Sequence, residues 1–265
     1  MDPKKLERAF ARAGRTKGVH VPESFQLATE KLLVVRQVNL WELGLEAALP
    51  LVPEPTKDAL ILDTSLRDIS SAVNSVYRRY SGLTSLNQKL KEQYLRGEGL
   101  HRSQFLATIN NAIGVSVKDL LHDQKATKLV AERLVEAVDL IKTLDYDLKT
   151  KLSREIWEAI QKGSDKIDVK KSILERSSVS EYRARLIALD QTSKLFSNLS
   201  RVRQEDIGVE KYNWRTVGDG AVRDEHQALE ADSPHRWDTP TEEGYPGDAV
   251  QCRCVAEPIL SSVTF

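Results

Sequence analysis

Cysteine is nearly absent from this chain of 265 residues: Cys252 and Cys254 are the only two, and a single residue separates them. That excludes the multi-bridge disulfide framework of small secreted domains. Methionine is scarcer still, with Met1 alone, and aromatic residues make up 6%. No apolar run reaches the ~18 residues that a membrane-spanning helix requires. Neither sign of charge is in excess, since 39 basic residues balance 39 acidic ones. The overall cationic character of a strongly basic nucleic-acid binder is therefore missing. The opening residues, Met1-Asp2-Pro3-Lys4-Lys5, lead into a charged helical pattern and not an apolar signal region. Together these absences are read as a soluble protein made in a cytoplasm, with no membrane partner. What is present is an apolar fraction of 40%, enough to build the core of one large domain or two small ones.

The first two thirds read as helix. A helical stretch over 23–49 ends at a breaker of Pro50, Pro53 and Pro55. Residues 57–80 then carry Leu62, Leu66, Ile69, Val73, Val76 and Tyr80 at spacings of three and four, one apolar stripe that Gly82 can end. Such a stripe serves an ordinary bundle helix or a coiled-coil contact. A second run over 125–145 keeps Ala126, Leu129, Val130, Leu134, Ala137, Val138, Ile141 and Leu144 on one face. A shorter helix with Leu148, Leu152, Ile156 and Ile160 is expected to follow and stop at Gly163, with Ser164 capping the next. Ser178 and Glu181 have capping-box spacing and open a helix with Tyr182, Leu186, Leu189, Ser193 and Phe196 on one face.

The character of the chain changes near residue 204. Residues 170–203 hold eight basic and three acidic side chains, whereas 204–265 hold five basic and thirteen acidic. The second stretch also holds both cysteines, with Trp214 and Trp237. Within it, Val209–Val217 alternates as a half-buried strand with Tyr212, Trp214 and Thr216 on one face. Gly218-Asp219-Gly220 turns the chain and Asp219 is a plausible N-cap. The helix that follows puts Val222, His226 and Leu229 on one face, with Arg223 and Glu230 on the polar side. A loop over 231–249 leads to a strand with Val250, Cys252, Cys254 and Ala256 on one face, and Gln251, Arg253 and Val255 on the other. The two apolar faces should meet in one small core. One imidazole and two thiols would then lie together, with His235 as a possible fourth group.

The composite pattern of Trp214, Thr216, Asp219, Val222-Arg223, His226 and Leu229, a Pro/Gly loop, and Cys252-Arg253-Cys254 resembles the C-terminal signature of the Mu F-like head morphogenesis family, which includes the SPP1-type minor head proteins. The likeness extends over about 125–256. Residues 1–120 resemble nothing recognisable. Two departures are visible: Leu189-Asp190-Gln191-Thr192 stands where the family usually has an Arg-Thr-Glu-like tract, and Glu230-Ala231 replaces a glycine after the histidine helix. The resemblance implies a low-copy minor capsid protein of a tailed bacteriophage, located in the virion head near the portal and assembled in the host cytoplasm. It implies the portal and the major capsid or scaffold protein as partners. Some members contact DNA. Effector domains that can follow such modules are not expected here, because Phe265 comes soon after Ala256.

The His226, Cys252 and Cys254 cluster, with His235, is a candidate zinc site, because thiolate and imidazole suit zinc. The alternatives are plain packing, since buried cysteines act as small apolar residues, and a redox role. Asp219, Arg223, Asp224, His226 and the thiols also contain the groups of a zinc- or thiol-dependent enzyme. Thiols on a buried face argue against catalysis, and Arg223 beside Asp219 reads better as an ion pair or cap contact, so an enzyme is not expected. Arg183, Arg185, Lys194, Arg201 and Arg203 form a modest cationic stretch that could meet double-stranded DNA non-specifically or remain a solvated face. No helix-turn-helix or zinc-finger spacing accompanies it. The expected fold is α+β: a mostly helical N-terminal body with a small C-terminal mixed α/β module of short strands plus one helix. Three regions are expected: a helical 1–120 for partner binding or without assignment, a helical part of the Mu F-like region over 121–203, and the module at 204–265.

Overall fold

A computed structural model of the chain describes residues 3–52, 65–80, 83–162, 164 and 166–263, with the backbone alone at 3, 80, 83–84, 172 and 175–180. The helices are α1 (Pro3–Arg12), α2 (Glu23–Ala48), α3 (Leu66–Tyr80), α4 (Leu83–Ile113), α5 (Asp123–Gln161), α6 (Lys166–Asp206) and α7 (Asp224–Ala231). The strands are β1 (Lys211–Arg215), β2 (His235–Arg236) and β3 (Val255–Pro258). They form one antiparallel sheet in the order β2-β1-β3. The expectation of a mostly helical chain with a small C-terminal mixed module is met.

Helix joins differ from the reading of the sequence. The expected break after Leu144 does not occur, and α5 runs through it. No glycine or proline lies between Asp123 and Gln161, and Leu144, Leu148, Leu152, Ile156 and Ile160 extend one buried stripe in steps of four. The helix start expected at Ser178 is likewise interior to α6, which has no glycine or proline over its whole length. The buried face of α6 overlaps the expected one only in part: Phe196 is buried and Leu186, Leu189 and Ser193 are half-buried, but Tyr182 is exposed, and Ala184, Ala188, Thr192, Leu195 and Leu199 are buried beside them. A capping box does occur, at α3. There Ser65 Oγ accepts the Asp68 N–H and Asp68 Oδ2 accepts the Ser65 N–H. The expected helix positions at Leu62, Pro53, Pro55, Gly82 and Gly163 lie outside the described residues. Helix α4 falls within the 1–120 region expected to be helical, although the sequence reading assigns no separate element there.

Packing divides the chain into two compact units. The first comprises Met1–Gln26, Leu90–Val135 and Leu189–Phe265, and the second Leu27–Lys89 and Glu136–Ala188. The three regions read along the sequence are consecutive, whereas these units interleave. Residues 204–265 fall whole within the first, but α2, α4, α5 and α6 each contribute to both.

The second unit has a core of Trp41, Leu45, Ile69, Val73, Leu152 and Ile156, among others. Ile69 and Val73 of the expected α3 stripe thus pack in a bundle core, whereas Leu66 is exposed. Trp41 Nε1 donates to the Ile173 carbonyl, and Arg36 forks onto both oxygens of Asp145 at 2.6 and 2.5 Å.

In the first unit, Phe25 and Phe196 pack with ring centres 5.5 Å apart. Helix α6 ends there in a Schellman motif at Gly208. Gly208 (φ 79°) donates to the Glu205 carbonyl, and Val209 donates to that of Gln204. This sharp exit turns the chain into β1, whose Tyr212 and Trp214 point inward and whose Lys211, Asn213 and Arg215 are half-buried. Tyr212, Trp214, Trp237, Cys252, Cys254 and Ala256 make the core of the small module. Buried Gln204 ties α6 to that core: its Nε2 donates to the Ala256 carbonyl, and its Oε1 accepts from Trp237 Nε1.

Candidate functional site

His226 is the third residue of α7. Asp224 and Glu225 fill the first turn, where acidic groups suit the positive end of a helix. Val222 and Arg223 precede the helix, so the expected stripe at 222, 226 and 229 is shortened at its start. Arg223 occupies the N-cap position in an extended conformation without a side-chain cap. The imidazole is 3% exposed and stands edge-on to Trp214, 5.3 Å between centres.

The cysteines reach the same place by a route other than the one expected. Strand β3 begins only at Val255, and Cys252 and Cys254 lie in the segment leading into it. A turn precedes them in which the Cys252 N–H donates to the Ala249 carbonyl and Gln251 takes a positive φ of 59°. That turn throws Val250 outward to 60% exposure, so Val250 does not share the cysteine face. Both thiols are reduced and buried. His226 Nδ1 lies 3.6 Å from Cys252 Sγ and 3.5 Å from Cys254 Sγ. His226 Nε2 lies 3.6 Å from Glu243 Oε2. The Cys254 thiol hydrogen bonds to Cys252 and pulls the Cys252 thiol down to about 6 against the effect of burial. The backbone N–H groups of Cys254 and Gly247 and the nearby His226 assist. As the proton donor of the pair, Cys254 is pushed up, and its burial adds to the shift. The trio thus brings two sulfurs and an imidazole into mutual contact. It can satisfy itself by hydrogen bonds or hold a soft metal ion.

A cavity of about 360 Å³ opens on the cluster; His226, Cys252 and Cys254 line it with Val217, Arg223 and Gln251. His235 is not part of the cluster. Its Nε2 bonds to the Leu229 carbonyl at 2.7 Å, and its ring lies against Tyr212. As part of β2, paired with Tyr212, it is fixed by the sheet. Asp219 does not pair with Arg223. It accepts the Ala221 N–H and pairs with Arg253 at 2.8 Å, while Arg223 donates to the Val250 carbonyl. The N-cap role expected of Asp219 thus becomes an Asx turn ahead of α7. Asp224 is exposed at the helix start.

The five cations expected as a DNA-facing stretch are all partnered. Arg183 pairs with Asp147 and Arg185 with Glu30, both in the second unit. Lys194 pairs with Asp190, and Arg201 with Glu205 while also lying over the Tyr245 ring at 4.0 Å. Arg203 is 2% exposed and bonds to His101 and Glu98 inside the first unit.

Three supports of the site escaped the sequence reading. Asp190 Oδ1 accepts the Gln251 N–H at 2.9 Å, Asn198 Nδ2 donates to Asp248 Oδ1, and Gln204 bonds to the module core as described. A buried polar tract, Asp190-Gln191-Thr192, was the available signal. It coincides with the departure from the family pattern.

Residues 150–257 match the family model described as Phage Mu protein F like protein. An uncharacterized protein of Haemophilus influenzae (strain ATCC 51907 / DSM 11121 / KW20 / Rd) is 26% identical over 197 residues, which cover 73% of this chain and 44% of that relative. The chain thus spans less than half the length of this relative. No solved structure matches the chain. The matched stretch takes in the whole of α6, the sheet up to Glu257, the His226 helix and the cysteine pair, and over residues 150–257 the chain is similar to Phage Mu protein F like proteins.

Proposed function

We propose that this chain is a minor capsid protein acting in head morphogenesis of a tailed bacteriophage. It works inside the head beside the portal, with portal and major capsid or scaffold protein as partners, and acts in assembly and not as an enzyme. The observation that carries this reading is the Phage Mu protein F like match over 150–257. No helix among the described residues is long and apolar enough to cross a membrane, which is compatible with a place in a protein shell. The carboxylate partners of Arg183, Arg185, Lys194, Arg201 and Arg203 leave DNA contact a minor part of the role. Quantitative mass spectrometry of purified procapsids and virions tests the proposal. The chain should be present at a small fraction of the major capsid protein and should copurify with the portal. Absence from both particles contradicts it.

A second reading, a thiol- or zinc-dependent enzyme, is favoured by the cavity that reaches His226, Cys252 and Cys254. Against it stands the burial of both residues, Cys252 at 5% and Cys254 at 6% exposure. A nucleophilic thiol needs access. Alkylation of the native chain separates the two: an enzyme thiol reacts rapidly with iodoacetamide, whereas the assembly reading expects reaction only on unfolding.

A further inference from the structure

The three donor atoms of the small module are spaced as a metal ion would space them. An ion about 2.3 Å from each sulfur and about 2.0–2.1 Å from an imidazole nitrogen, with tetrahedral angles, sets nitrogen and sulfur about 3.6 Å apart. The observed separations from His226 Nδ1 are 3.6 Å to Cys252 Sγ and 3.5 Å to Cys254 Sγ. All three ligand atoms lie within 4.8 Å of one another, and all three residues are buried.

A second observation points the same way. His226 Nε2 is buried and has no hydrogen-bond partner among the described residues, yet it lies 3.6 Å from the Glu243 carboxylate. A metal on Nδ1 fixes the ring proton on Nε2, where it faces that carboxylate. This is the arrangement in which an outer carboxylate orients a metal-bound histidine. The tight Cys-x-Cys spacing is served by the local backbone. Gln251 in the left-handed region bends the chain just before Cys252, and the Cys254 N–H donates to Cys252 Sγ at 3.4 Å, as amides do to thiolate ligands.

We infer that His226 Nδ1, Cys252 Sγ and Cys254 Sγ hold a zinc ion whose fourth position faces the cavity lined by Arg223, Gln251 and Val217. Thiolate and imidazole donors select zinc over magnesium or calcium, which take oxygen ligands. Three protein ligands leave room for one water or one small donor from the cavity side. The ion staples α7 to the approach of β3 in a module whose own core is small, so binding it adds directly to the stability of that module.

The test uses the full chain, purified without chelators from zinc-supplemented medium. Elemental analysis should find about one zinc per chain. Exchange with cobalt should produce the sulfur-to-metal charge-transfer and visible bands of a tetrahedral thiolate site. Cys254→Ser should lose most of the metal, and His226→Cys should retain it with a stronger charge-transfer band. These two variants separate ligand loss from general misfolding. A folded wild-type chain with less than about a tenth of an ion and no cobalt spectrum would overturn the inference. So would zinc that survives undiminished in a Cys252→Ser, Cys254→Ser double variant, because the ion would then be bound elsewhere.

Discussion

Asp190 holds Gln251: its Oδ1 accepts the Gln251 backbone N–H at 2.9 Å, linking α6 to the turn that aims the cysteines. Gln251 is the one non-glycine residue with positive φ among the described residues. Asp190 is itself buried, with Oδ2 engaged by Lys194 and Gln191. Asp190→Ala removes the acceptor of the part-buried Gln251 N–H and the Lys194 ion pair, and should cost about 1–2 kcal/mol in denaturant unfolding. Gln251→Val should destabilise by at least about 1–2 kcal/mol, since a β-branched side chain suits the left-handed region poorly, whereas Gln251→Gly should be near neutral. Equal behaviour of Val and Gly at 251 would refute the strained turn.

His101 is fully buried. Arg203 donates to its Nδ1, so the ring proton lies on Nε2 and is donated to Ser200 Oγ at 2.8 Å. Burial first, and the Arg203 charge second, hold its pKa well below the usual histidine value. The unfolded chain takes up a proton near pH ~6.5 and the folded chain does not. The stability conferred by the neutral ring is therefore complete above pH ~6.5 and falls as pH drops below it, by up to about 1.4 kcal/mol per pH unit. Unfolding titrations at pH 7.0 and 5.5 (buffer values chosen to bracket about 6.5) should show this loss, and His101→Gln should reduce it. An unchanged slope in the variant would remove His101 as its source.

Two glycines of α4 should respond oppositely to alanine. A Cβ on Gly97 would meet Phe25 Cζ at 2.6 Å and Leu195 Cδ2 at 3.2 Å, whereas one on Gly99 meets nothing within 4 Å. Gly97→Ala should destabilise by about 1–3 kcal/mol through overpacking. Gly99→Ala should stabilise by up to about 1 kcal/mol through helix propensity. Thermal unfolding of both variants checks the sign of each.

The legible parts of the molecule were those governed by period. Ile69 and Val73 on α3, Ala137 to Ile160 on α5, and Tyr212 and Trp214 on β1 are buried as their spacing requires. The meeting of His226 with Cys252 and Cys254 was also legible, although β3 begins three residues later than Cys252 and the thiols lie ahead of it. Alternation placed the two thiols together correctly, and the left-handed Gln251 placed Val250 wrongly. Helix continuity was poorly legible: breaks were expected near 145 and 178, where α5 and α6 run on without glycine or proline. Partners distant in sequence were not legible at all. His235 is drawn to the Leu229 carbonyl, Asp219 to Arg253, and Asp190 to Gln251. Each choice depends on chain paths that residue spacing alone does not specify.

Binding of double-stranded DNA by the purified chain should be weak and strongly salt-dependent. The candidate cations already have carboxylate partners, and Arg203 is buried. Fluorescence anisotropy should show no saturable binding near ~150 mM salt and at most non-specific binding at low salt. Tight, salt-insensitive binding would contradict this picture of the 170–203 stretch.

Location in the particle bears most directly on the assembly role. An asymmetric cryo-electron density map of the procapsid, into which the two compact units are fitted separately, measures it. The account predicts density for the 204–263 module, with its β2-β1-β3 sheet, inside the shell against the portal. A procapsid map with an ordered portal and no such density, from particles shown to contain the chain, would contradict it.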